Sequence, residues 1–321
     1  MIGRASELSL VQTLLSVADS GGVGFVGPAG VGKSRLAHAT RELAEDAGFA
    51  TVVATATPVA ARITLGALAH LLPPAGELAT VHTDLQPTQL LQAARHTLSE
   101  LAEGRRLCLL VDDAHHLDSV SAHLLHQLAA SGDVFIALTV RSGEPSDQAV
   151  PAMWKDGLVE RVDIGPLGFD ETAALAASAL GGGVLDAEAS GWLWRTSGGN
   201  ALYARELVTG AAERGGLLRR GDQWHLAGTS DRVSPRLAEL VEQRLVGLAA
   251  EQRRALDLVA LTEPIGLDLA QQIVGSEPLF QLDELGLLTV TTSGYRAELR
   301  PGHPLFGEAL RQQPMTLRRR A

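Results

Sequence analysis

The sequence predicts an α/β fold, with a P-loop parallel-sheet domain first, then a helical lid domain and a winged-helix domain. Three observations carry that expectation. Gly27-Pro28-Ala29-Gly30-Val31-Gly32-Lys33-Ser34 completes a G-x-x-x-x-G-K-S loop between an apolar run and a helix-forming run. Short apolar segments alternate with amphipathic ones through the first half, as a parallel sheet with crossover helices requires. After Gly165-Pro166 the spacing becomes helical, and it ends in two alternating segments around Ser293-Gly294.

In chain order, helical spacing covers 6–18, with Leu8, Leu10, Val11, Leu14, Leu15 and Ala18 on one broad apolar face. Strands are expected at 23–26, 50–55, 107–111, 134–139 and 158–164, with helices at 33–46, 88–102 and 119–130. Pro73, Pro74, Gly76 and Pro87 mark 72–86 as a long loop. Beyond Pro166, helices over 170–209 are interrupted by Gly181-Gly182-Gly183 and Ser197-Gly198-Gly199, and Gly221-Asp222 is expected to turn a small hairpin. Helices at 236–246, 251–261, 267–274 and 279–285 then precede a second hairpin, 287–291 with 295–300, and together these give the winged-helix expectation. The expected domains are 1–165, 166–230 and 231–321.

The loop defines the expected chemistry. Its glycines let backbone N–H groups turn inward on phosphate oxygens, and the helix behind it offers its positive end. Lys33 is one of two lysines in the chain, the other being Lys155, and it is placed to reach the β- and γ-phosphates. The Ser34 hydroxyl is expected to ligate Mg²⁺. A nucleoside triphosphate site also needs a carboxylate on a neighbouring strand, and Leu107-Cys108-Leu109-Leu110-Val111-Asp112-Asp113 supplies two. Alone, an apolar run ending in two acids is an ordinary strand and turn. Downstream of this loop, Asp112 is expected to hold Mg²⁺ through its water shell and Asp113 to polarise an attacking water. Arg141 ends the next apolar run, where a guanidinium suits either a γ-phosphate or solvent, and chemistry leaves the two even. His115 and His116 follow the acids without an established zinc spacing.

Composition bounds the rest. The 321 residues carry a net charge of −10, which argues against a chain that coats nucleic acid. One cysteine, Cys108, excludes an internal disulfide and fits a reducing compartment. No apolar stretch is long enough to span a membrane and no signal-peptide pattern is present, so a cytoplasmic, membrane-free chain is expected.

Ile2-Gly3-Arg4, the loop, Leu109-Leu110-Val111-Asp112-Asp113-Ala114-His115 and Thr139-Val140-Arg141 together resemble the signal-transduction ATPases with numerous domains, the STAND group related to AAA+ proteins. Within it the resemblance is to the N-terminal ATPase region of large ATP-binding LuxR-type, maltose-regulator-like transcriptional regulators. Thr196-Ser197-Gly198-Gly199-Asn200-Ala201-Leu202-Tyr203 is similar to that group's G-G-N-P-L-Y lid motif. Leu282-Asp283-Glu284-Leu285-Gly286-Leu287-Leu288 with His303-Pro304-Leu305 resembles its winged-helix end. The resemblance implies an ATP/ADP-binding switch with Mg²⁺, slow ATP hydrolysis and self-association in the ATP state. It also implies that Ile2, Gly3 and Arg4 line an adenine pocket, that the loop through Arg35 and the lid position Ala201 contact nucleotide, and that His303 approaches the β-phosphate of ADP. A cap ahead of the last helix is the other reading of His303. Two departures stand out: Ala201 replaces the lid proline, and the charged tract after Gly-Arg is reduced to Ala5-Ser6-Glu7. Such regulators continue into a helical sensor region and a helix-turn-helix, so DNA contact is expected only through a region absent from this chain.

Two other classes compete. A DNA-directed AAA+ ATPase of initiator or loader type shares the core, but its winged helix should be basic. Residues 231–321 hold 11 arginines against 12 acids, a balance of −1, with Arg318-Arg319-Arg320 the one basic cluster. A small-molecule kinase needs an acceptor pocket and does not usually carry so long a helical second half.

Overall fold

The computed structural model describes residues 1–17, 20–71, 87–227, 235–293 and 296–312. The expected loop over 72–86, the Gly294 turn and the Arg318-Arg319-Arg320 cluster lie outside the described residues. The chain divides at the Gly165-Pro166 bond into two compact units, Gly3–Gly165 and Pro166–Ala321.

The first unit runs α1 (Ala5–Ser16), β1 (Gly22–Gly27), α2 (Lys33–Asp46), β2 (Ala50–Thr55), α3 (Pro87–Ala102), β3 (Leu107–Asp112), α4 (Ser119–Ser131), β4 (Val134–Arg141), α5 (Ala149–Lys155) and β5 (Glu160–Asp163). All five strands are parallel, in the order β2-β3-β4-β1-β5. Both faces of the central strands are covered, so β1, β3 and β4 are buried almost throughout rather than alternating, whereas the edge strand β5 is largely charged and exposed. The pleat still sorts them. Leu107, Leu109 and Val111 of β3 enter one core with residues of α3 and α4, whereas Cys108 and Leu110 enter the other with Val11, Leu36 and Ala37 of α1 and α2. Burial pushes the Cys108 thiol up to about 12, which makes it a packing residue.

Helix ends follow their caps. Asp118 accepts from the Val120 and Ser121 N–H groups at the start of α4, and Gly132 closes that helix at φ 72°. Gly27 is fixed by a close approach, since a Cβ there would lie 2.3 Å from the Ile164 carbonyl oxygen. With β1 between β4 and β5, the β1-to-β2 and β4-to-β5 connections leave in opposite directions. The carboxyl ends of β1, β3 and β4 therefore flank a topological switch point, where α/β sheets bind ligands.

The second unit contains α6 (Phe169–Ala179), β6 (Val184–Leu185), α7 (Ala187–Ser197), α8 (Ala201–Glu213), β7 (Leu217–Arg220), β8 (Gln223–Leu226), α9 (Pro235–Leu245), α10 (Ala250–Thr262), β9 (Ile265–Gly266), α11 (Leu267–Val274), α12 (Ser276–Glu284), β10 (Leu288–Ser293), β11 (Arg296–Pro301) and α13 (Pro304–Gln312). The expected hairpins are β7–β8 and β10–β11, each antiparallel. Each gains a third strand, β6 beside β8 and β9 beside β11, that the apolar pattern does not announce. One core cluster runs from Ala176 to Leu310, so 166–230 and 231–321 bury their apolar side chains together.

Candidate nucleotide site

The loop turns between β1 and α2. Gly30 and Gly32 take φ 79° and 102°, and Gly32 caps α2 in a left-handed conformation that favours glycine. Lys33, 7% exposed, bends back to donate from Nζ to the Pro28 carbonyl at 2.8 Å. Its cation is thereby held over the loop. Ser34 and Arg35, in the first turn of α2, are exposed.

Strand register brings the acids to this loop. Gly27 is the partner of Arg141, and Val111 is the partner of Leu138, which sets Asp112 and Thr139 beside each other. Asp112 Oδ1 accepts from Ser34 Oγ at 2.9 Å and from Thr139 Oγ1 at 2.6 Å. Ser34 and Asp112, 78 residues apart, thus meet as two hard oxygen donors. That set fits Mg²⁺, which takes few protein ligands and keeps most of its waters. Among the described residues no cluster of three or more His, Cys, Asp or Glu side chains could hold a metal ion.

Asp113 is a non-glycine residue at φ 55°, starting the 3₁₀ turn Ala114–His116. Its N–H donates to Thr139 Oγ1 at 2.8 Å. Burial, and then the adjacent Asp112 carboxylate, hold its carboxyl above the usual range, against the pull of Lys33, His116 and Arg141. A half-buried carboxyl of raised proton affinity beside a phosphate loop is chemically suited to take a proton from water.

Thr139 and His115 are the residues that sequence reasoning did not assign. Thr139 is completely buried, and its hydroxyl donates to one acid while accepting from the backbone of the next. His115 is buried, accepts the Arg141 N–H at Nδ1 (3.4 Å), and packs on His116 with ring centroids 4.1 Å apart. Burial, and then His116, push its pKa down to about 4, so it is a neutral imidazole at neutral pH. The Arg141 guanidinium lies 3.5 Å from Glu144.

Of the residues assigned to an adenine pocket, Ile2 and Gly3 lie in the turn before α1. Arg4 is buried and engaged elsewhere. Its Nη2 donates to the Val31 carbonyl at 3.2 Å and the Gly165 carbonyl at 2.5 Å, and Nη1 to Glu7 at 3.1 Å.

Two assigned residues belong to the second unit. Ala201 is the first residue of α8, behind the Asn200 cap whose side chain accepts from the Tyr203 N–H. His303 donates from Nε2 to the Ser197 carbonyl at 2.6 Å and accepts the Leu305 N–H at Nδ1 at 3.2 Å. It therefore caps α13, and both ring nitrogens are engaged within this unit. Contact with a phosphate would require one of those bonds to be given up.

With this geometry in view, residues 1–140 match the family model described as an AAA ATPase domain. No curated protein matches the chain. Among solved structures, Cdc6p from Pyrobaculum aerophilum is similar over 96% of this chain and 93% of its own, at 17% identity and a TM-score of 0.50. A RuvB mutant from Thermotoga maritima is similar over 92% of each chain, at 16% identity and a TM-score of 0.48. A signal transduction ATPase with numerous domains and a tetratricopeptide repeat sensor, from Pyrococcus horikoshii, is covered over 42% of its length by 97% of this chain (18% identity, TM-score 0.44). This chain thus spans less than half of that protein. The domain match and the five-stranded parallel sheet support a P-loop ATPase of the AAA+ kind. No helix among the described residues is long and apolar enough to cross a membrane.

Proposed function

We propose that the chain is an ATP/ADP-binding switch with slow hydrolysis, the regulatory ATPase part of a LuxR-type transcriptional regulator. The observation that carries the nucleotide reading is the meeting of Ser34, Asp112 and Thr139 at the mouth of the Lys33 loop. In this reading Lys33 holds the β- and γ-phosphates. Ser34 and Asp112 hold Mg²⁺, which neutralises phosphate charge, and Asp113 accepts a proton from the attacking water. Arg141 senses the γ-phosphate from the end of β4.

The switch reading rests on the motifs of the second half. Residues 166–230 serve as the lid and 231–321 as a winged helix, an assignment supported by the order α10-β9-α11-α12-β10-β11 and its three-stranded sheet. The His303–Ser197 bond supports lid and winged helix moving as one body. ATP adds a γ-phosphate, with its negative charge, that ADP lacks, which favours whichever arrangement accommodates it and promotes self-association.

Charge weighs against the alternative, a DNA-directed initiator or loader. The segment 264–287, which holds α11 and α12, carries Asp268, Glu277, Asp283 and Glu284 and no Lys, Arg or His. A helix entering a DNA groove needs the opposite sign. The test is the nucleotide released on denaturing freshly purified protein that was never supplemented. Near-stoichiometric ADP is expected. An empty site together with ATP turnover that rises on adding duplex DNA would replace the switch by the loader.

A further inference from the structure

Arg4 is only 6% exposed, yet its guanidinium is spent on backbone carbonyls and Glu7. One of those carbonyls belongs to the phosphate loop. A peptide unit is planar and trans, so the Val31 carbonyl and the Gly32 N–H point in opposite directions. Whatever holds the oxygen therefore aims the hydrogen. Three restraints act on this peptide. The Val31 side chain is anchored in the core that contains Phe25 and Leu36. The Val31 oxygen is held by Arg4 Nη2. Gly32 sits at φ 102°, between a loop and a helix whose first turn offers N–H groups to an anion.

Glycines on both sides of Val31 make this the part of the loop most free to rotate. The second hydrogen of Nη2 goes to Gly165, the last residue of the first unit, two residues past the end of β5, so the clamp is anchored just beyond the strand that pairs with β1. Glu7 fixes Nη1 from the first turn of α1.

We propose that Arg4 is a positioning residue for the phosphate loop, aiming the Gly32 N–H at a phosphate by holding the Val31 carbonyl, rather than a contact to the base. This inference rests on the nucleotide reading of the loop. Its test compares Mg·ADP with Mg·GDP binding to wild type, Arg4→Lys and Glu7→Gln, each confirmed folded by circular dichroism. Lysine keeps the charge but cannot span two carbonyls and a carboxylate from one planar group. Arg4→Lys is expected to weaken both nucleotides by about tenfold or more, as for a lost buried hydrogen bond, with the ADP-to-GDP ratio unchanged. Glu7→Gln should weaken both by a smaller factor. Unchanged affinity in Arg4→Lys overturns the inference, as does a changed base ratio, which would mark a base contact. Should Arg4→Lys not fold, unchanged affinity in Glu7→Gln overturns it instead. A wild type that binds neither nucleotide fails the nucleotide reading before any variant is made.

Discussion

Asp113 combines a left-handed backbone, a backbone bond to Thr139 and a carboxyl whose pKa is raised. If it is the base, turnover requires its ionised form. The acid limb of the rate profile should then lie above the ordinary value of 3.8, with turnover rising with pH through it. Asp113→Ala should keep nucleotide binding and suppress turnover, and hydrolysis retained in that variant would remove Asp113 from the role. His115 makes a prediction about stability. Its folded pKa of about 4 is below the ordinary imidazole value of 6.5, so between these pH values the unfolded chain binds the extra proton. The stabilisation is present above about 6.5 and is lost as pH falls toward 4. Denaturant melts at pH 7 and pH 5 should show a smaller loss for His115→Phe than for wild type. Asp112, Asp113, Lys33 and Ser34 were legible in the sequence because their types and spacing are those of the chemistry. Thr139 was visible only as part of Thr139-Val140-Arg141, and its role was not, since one hydroxyl in an apolar strand does not announce its partner. Only the pairing of Val111 with Leu138 sets it against Asp112.

At the scale of elements, His303 is the joint between two helices, capping α13 and tying back to the end of α7. His303→Ala removes a cap and leaves the Ser197 carbonyl without that donor. A loss on the order of 1–2 kcal/mol is expected for the second unit in urea melts. His303→Asn should recover the cap's share and not the rest. No loss in the alanine variant would show that the joint is dispensable. The sequence left His303 between a cap and a phosphate contact because both use the same imidazole nitrogens. The long elements were legible. Lys33–Asp46, Ala50–Thr55 and Leu267–Val274 form as expected, because each has a clear period and a clear boundary. β6 and β9 were not, since two residues cannot show a period of two. α5 was passed over as well, a seven-residue helix with Pro151 near its start.

For the whole molecule, the parallel sheet and the second, largely helical unit follow from the change of periodicity at Gly165-Pro166. The shared core of 166–230 and 231–321 does not, because apolar positions in a sequence do not say which other apolar positions cover them. The switch reading depends on the first unit binding a nucleotide through its phosphates. The most direct measurement is therefore a calorimetric titration of wild type and Lys33→Ala with Mg·ADP and Mg·ATP, on protein first stripped of nucleotide. Saturable binding of both by wild type, with none resolved for Lys33→Ala although that variant is folded, is the predicted result. Equal binding by the two proteins would contradict the account, because the phosphate cation that the loop holds over Pro28 would then have no part in recognition.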